Sequence, residues 1–188
     1  MDPIETLMNE HRLIEEVLDV AVAYADRLPS QKEEDREKLK NLCDFFSGFA
    51  DACHHEKEEK VLFTAMAENG FPTEEGPIAV MLQEHDYGRS RIQELRRLLA
   101  KPEPWTAEDR LWVVRNLYAY AEFLHSHIMK EDNILYPMAK ARLSNDVFAN
   151  VGKRFQEIEA GHAGDHERLT ALAQSLGART IPSCVCHH

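Results

Sequence analysis

Residues 54–63, HHEKEEKVLF, and residues 127–136, HIMKEDNILY, are two copies of one pattern: His-x-x-x-Glu, then, after two intervening residues, an apolar run. On a helix, a His and a Glu four positions apart share one face, about 40° apart in projection and one turn apart along the axis. A second repeat surrounds the first. Leu7-Met8-Asn9-Glu10-His11 lines up with Met81-Leu82-Gln83-Glu84-His85 at an offset of 74, against 73 for the longer motif. His11 and His54 are 43 residues apart, and His85 and His127 are 42 apart. Two helix pairs therefore recur almost in register, each with a lone His and a His-x-x-x-Glu. Antiparallel pairing of such helices brings the four positions to one height in a bundle.

The segments around these motifs have helical periodicity. Leu7, Ile14, Val17, Leu18, Ala21 and Val22 mark one face of a helix over about 3–28. A second, over about 32–69, carries Leu39, Leu42, Phe46, Phe49, Cys53, Leu62 and Phe63. A third covers about 77–99, and a fourth follows the N-cap Thr106 with Glu108 and Asp109 to about 143. Gly and Pro punctuate the intervals at Pro29, Gly70, Pro72, Gly76, Pro77, Pro102 and Pro104, and Ser144-Asn145-Asp146 starts a fifth helix to about 176. No segment alternates like a strand. The expected fold is all-α: an up-down-up-down four-helix bundle over 1–143, an accessory helix over 144–178 packed on or beside it, and a disordered Cys/His tail over 179–188.

A lone His-x-x-x-Glu is an ordinary surface pair, but two copies with matched partners point to a metal pair. In this reading His11, His54, His85 and His127 bind through nitrogen, and Glu58 and Glu131 bridge. Nitrogen and oxygen donors without thiolate, with open positions, suit iron better than a closed zinc site. His55 and Glu59 form a competing register. The repeat selects His54 and Glu58, because Val61-Leu62-Phe63 then matches Ile134-Leu135-Tyr136. His55, His125, His162 and His166 are expected at the surface or just outside the ligands, and Glu15 as a surface acid beside His11. Tyr87 and Tyr118 serve either as hydrogen-bond donors lining the site or as core.

Composition excludes other classes. The 188 residues carry a net charge of −11, with no basic face for nucleic acid. No apolar run approaches the roughly 20 residues that span a bilayer. The opening MDPIETLMNEHRLIEE is acidic where a secretory signal is basic, so a cytoplasmic location with no membrane partner is expected. The four cysteines do not make a disulfide framework. Cys43 and Cys53 are expected as reduced thiols, and Cys184 and Cys186 belong to the tail.

With HHEKEEKVLF, EHDYGR and HIMKEDNILYPMA in place, the chain resembles the hemerythrin-like family, named for a His-His-Glu cation-binding motif, over about residues 1–143. The resemblance implies a bundle around a non-heme pair of iron ions, oxo- or hydroxo-bridged. By position it carries His11, His54, Glu58, His85, His127 and Glu131 over as the ligands. The oxygen carriers of marine invertebrates have His-x-x-x-His on the third helix and an Asp bridge on the fourth. Here Arg89 follows His85, so that fifth histidine is missing, and the set is closer to bacterial members and to proteins linked to repair of nitric-oxide-damaged iron–sulfur clusters. Glu159 and His162 are the alternative source of an additional or outer ligand, although a solvated polar face is the preferred reading of that helix. The expected function is binding or reduction of dioxygen, nitric oxide or peroxide at the iron pair, with a redox or iron-donor protein as partner. The alternative is an iron- or oxygen-responsive sensor or iron-holding module without turnover.

Overall fold

The computed structural model describes residues 2–179, except the side chain of Ala163. Six helices and one short 3-10 turn, Leu28–Ser30, account for the described elements, and no strand occurs among the described residues. Helix α1 is Pro3–Arg27. Helix α2 spans 36–68, α3 is Gly76–Leu99, and α4 spans 107–142. Two further helices, α5 (Asn145–Gly161) and α6 (Ala163–Leu176), follow the bundle. The added C-terminal helix is thus interrupted at His162, where Gly161 and Gly164 flank a residue of non-helical backbone.

Local chemistry sets the boundaries. Asp2 accepts a hydrogen bond from the Ile4 amide and precedes Pro3 at the first helical position of α1. Asp35 caps α2 through the Lys38 amide. Thr106 and Asp109 close a reciprocal capping box at α4, and Ser144 caps α5.

Helices α2 and α4 are not regular. In α2, Phe46–His55 and Glu58–Leu62 are π-helical between the α-helical Arg36–Phe45 and Phe63–Glu68. In α4, Glu131–Leu135 is π-helical between Ala107–Lys130 and Tyr136–Arg142. Widening the turn to i→i+5 shifts every following side chain around the axis, and such turns concentrate at functional sites.

Two apolar cores fill the bundle. One gathers Leu13, Val17, Phe45, Phe49, Val113 and Leu124, and the other Ile4, Leu7, Leu62, Met66, Ile78 and Leu135. A belt of buried polar groups lies between them: His11, His54, His55, Glu58, His85, His127 and Glu131. The C-terminal helices join both cores, α6 through Leu169 and Ala173 and α5 through Val151 and Phe155. A Cβ at Gly48 would stand 2.8 Å from both methyl carbons of Leu169, so this glycine lets α6 sit directly on α2.

Cys43 and Cys53 are free and buried, and burial pushes their thiols up to about 12 and about 11. The Cys184 and Cys186 tail lies outside the described residues. No described helix is long and apolar enough to cross a membrane.

Candidate metal centre

Each of the four helices delivers its polar residues to the belt by the repeat. His11 comes from α1, His54 and Glu58 from α2, His85 from α3, and His127 and Glu131 from α4. All six are at most 1% exposed. Glu58 Oε2 lies 3.6 Å from His54 Nε2 and 3.4 Å from His85 Nε2. Glu131 lies 3.2 Å from His11 Nε2, 3.3 Å from His127 Nε2 and 3.7 Å from His85 Nε2. Potential donor atoms fall into two groups, each within 4.8 Å: His11, His54, Glu58 and Glu131, and then His55, His85 and His127. Each carboxylate faces imidazoles of both groups.

The carboxylates that orient these imidazoles lie outside the six residues expected as ligands. Nδ1 of His54 donates to Glu10 at 2.9 Å, and Nδ1 of His127 donates to Glu84 at 2.9 Å. Nδ1 of His85 donates to Glu59 at 2.7 Å, and Nδ1 of His11 donates to Asp132 at 2.7 Å. A carboxylate only accepts, so the proton sits on Nδ1 and the Nε2 lone pair points into the belt, the tautomer a metal needs. The outer partners repeat as faithfully as the inner set. Glu10 and Glu84 precede the lone histidines, and Glu59 and Asp132 follow Glu58 and Glu131. That recurrence was the available signal. Lys57 and Lys130 repeat too, pairing with Glu10 and Glu84.

His55 departs from expectation. It is buried, and its ring stacks on His85 with centroids 3.7 Å apart. The widened π turn that ends at His55 lets consecutive histidines both face inward, which regular helical projection forbids. His166 is likewise buried, against Phe49. Tyr87 and Tyr118 are exposed and line nothing here, Tyr118 donating to Asp26 instead. The tyrosine at the site is Tyr136, whose hydroxyl donates to Glu58 at 2.8 Å. His125 is exposed near Glu15, and Glu15 pairs with Arg12. Glu159 stands 3.0 Å from Lys57, and His162 stands 3.2 Å from Glu56; neither joins the two donor groups.

Burial pushes Glu58 up to about 8, and burial with the nearby Glu58 carboxylate pushes Glu131 well above its ordinary range. Burial holds His54 and His85 well below theirs and lowers His55 to about 4. The metal-free chain should respond to pH accordingly. Between about 4.5 and 8 the folded state keeps a proton on Glu58 that the unfolded state has released, so this term erodes stability as pH rises. Below 6.5 the unfolded histidines take protons that the buried ones refuse, so their term acts in the opposite sense. Above pH 6.5 the histidine term is spent, and the carboxyl term, joined toward pH 9 by the buried Cys43 and Cys53 thiols, erodes stability in one direction. Urea denaturation of metal-free protein is expected to show stability falling from pH 6.5 to 9, and metal-loaded protein a much flatter profile.

Comparison with known proteins agrees with this geometry. The family model described as the hemerythrin HHE cation binding domain matches residues 2–139. Uncharacterized proteins of Mycobacterium bovis and of two strains of Mycobacterium tuberculosis are each 20% identical over 179 residues, covering 92% of this chain and 69% of their own.

Proposed function

Because this chain belongs to the hemerythrin HHE cation-binding domain family, we propose that it holds two iron ions in the belt and binds or reduces a small ligand there: dioxygen, nitric oxide or peroxide. One observation carries the reading. Nε2 of His54, His85 and His127, Oε2 of Glu58 and both oxygens of Glu131 are buried without a hydrogen-bond partner, and they converge. Orphaned buried groups each cost about 1–3 kcal/mol, and a bundle that collects six of them in one belt fits a cation as their missing partner.

His11, His54, His85 and His127 would hold the ions, with Glu58 and Glu131 between them and His55 completing the second group. Iron bound there would supply reversible electron transfer and open coordination positions. The chain's own contribution is preorganisation. Glu10, Glu59, Glu84 and Asp132 fix the four imidazoles, and Tyr136 holds one oxygen of Glu58. The two apolar cores exclude water on either side of the belt. The same orphaned groups favour a second reading, an iron-responsive module whose fold tightens on loading.

Metal analysis of the purified chain, with its visible spectrum before and after reduction, tests the proposal. Two irons per chain and a near-ultraviolet band that bleaches on reduction are expected; a colourless protein that takes up only zinc overturns it. Turnover of peroxide or nitric oxide at constant iron content then marks catalysis. A large rise in melting temperature on loading, without turnover, marks the sensor.

A further inference from the structure

The repeat makes the two halves of the belt alike in sequence, but the surroundings make them unlike. On the His54 side, Lys57 and Glu10 are at most 2% exposed, closed over by Glu159 of α5 and by the Phe155 ring 5.8 Å from the Lys57 ammonium. Tyr136 stacks on His11 and shuts the neighbouring face. On the His127 side, the matching Glu84 and Lys130 keep 20% and 34% of their side-chain surface. Neither described C-terminal helix is packed chiefly on this side: α5 and α6 pack against α1 and α2.

A cavity of about 110 Å³ opens on this uncovered side, between α2, α3 and α4. His55, His85 and His127 form its inner end, and Phe46, Ile92 and Phe123 line its wall. A buried water needs roughly 10–15 Å³ on this measure, so the space admits a ligand of two or three heavy atoms. Arg89 stands at its rim, anchored by Asp51 at 2.7 Å and Glu59 at 2.5 Å. The wall also contains Gly88, in the middle of α3, where helical propensity favours alanine. A Cβ there would meet Phe123 at 3.6 Å and Tyr120 at 3.9 Å, ordinary contact that reduces the free space without a clash.

We propose that the exogenous ligand, a molecule of two or three heavy atoms, reaches the metal pair from one side only, through the cavity beside Gly88, and docks at the position faced by His55, His85 and His127. Helices α5 and α6 are what make the halves inequivalent, since they seal the His11 and His54 side. The inference rests on the metal-pair reading.

Azide association with the iron-loaded, oxidised full chain, followed by stopped-flow absorbance, is the test. Gly88→Leu, which fills the cavity, should keep two irons and slow azide association at least tenfold. Gly88→Ala should slow it two- to threefold with no loss of melting temperature. Gly161→Leu, on the α5 side where an added Cβ meets nothing within 4 Å, should leave the rate unchanged. An unchanged rate in iron-loaded Gly88→Leu overturns the route while leaving the metal pair intact, as does equal slowing in Gly161→Leu. Should Gly88→Leu fail to fold, Gly88→Ala decides, and a wild-type rate overturns the route. Wild-type protein that loads no iron overturns the metal-pair reading itself, and the route with it.

Discussion

Glu58→Gln and Glu131→Gln are each expected to abolish binding of the iron pair and, unusually for a substitution at a buried residue, to raise the stability of the metal-free chain at alkaline pH. The two effects share one cause. Each carboxylate lies within 3.7 Å of imidazoles from both donor groups, so in the proposed iron-pair site its removal would take a ligand from both ions at once. An amide of the same shape carries no charge to offset two cations. Without metal, however, the wild-type carboxyls are the liability, because burial pushes Glu58 up to about 8 and, with the nearby Glu58 carboxylate, holds Glu131 well above its ordinary range. Ionising them at pH 9 means carrying negative charge in the core without a partner, and Gln avoids that cost. Metal analysis should give less than one-tenth of wild-type iron in either variant. Urea denaturation of metal-free protein at pH 9 should give a higher midpoint for Glu58→Gln than for wild type. Wild-type iron content, or a lower midpoint at pH 9, contradicts the account.

The second large effect concerns Lys57. This side chain is wholly buried, and Glu10 and Glu159 hold it charged despite the desolvation. Lys57→Ala leaves two carboxylates without their cation in a closed setting, and breaking such a buried pair costs about 3–5 kcal/mol. Lys130→Ala removes the equivalent residue of the second repeat, where water reaches both partners, and should cost less than about 1 kcal/mol. Equilibrium unfolding of both variants at pH 7 measures the contrast. Combining Lys57→Ala with Glu159→Gln should recover part of the loss, since one stranded carboxylate is then gone. Equal costs for the two lysines would mean that α5 does not make the halves of the belt different.

Much of this was legible in the chain. The offsets of 73 and 74 place His11, His54, His85 and His127 at one height, and all six residues of the expected set meet in the belt. The caps at Thr106 and Ser144 and the ends of all four bundle helices fall within a few residues of expectation. The carboxylates that orient the imidazoles were visible as repeats but carried no label. Glu59 serves a histidine 26 residues away and Asp132 one 121 residues away, pairings that spacing along a single helix does not reveal.

Periodicity read along the chain fixes which residues share a face of one helix, and here that sufficed for the bundle and its six polar groups, because both depend on spacing within helices and on two matched repeats. Three features lay beyond a regular helical period. His55 turns inward because α2 adopts a widened turn, which a 3.6-residue pattern does not register. Tyr136, not Tyr87 or Tyr118, reaches Glu58, because contact depends on which helices lie side by side. And the near-symmetric repeat becomes a one-sided site, because α5 and α6 cover Lys57 and leave Lys130 to solvent: burial depends on where the rest of the chain comes to rest.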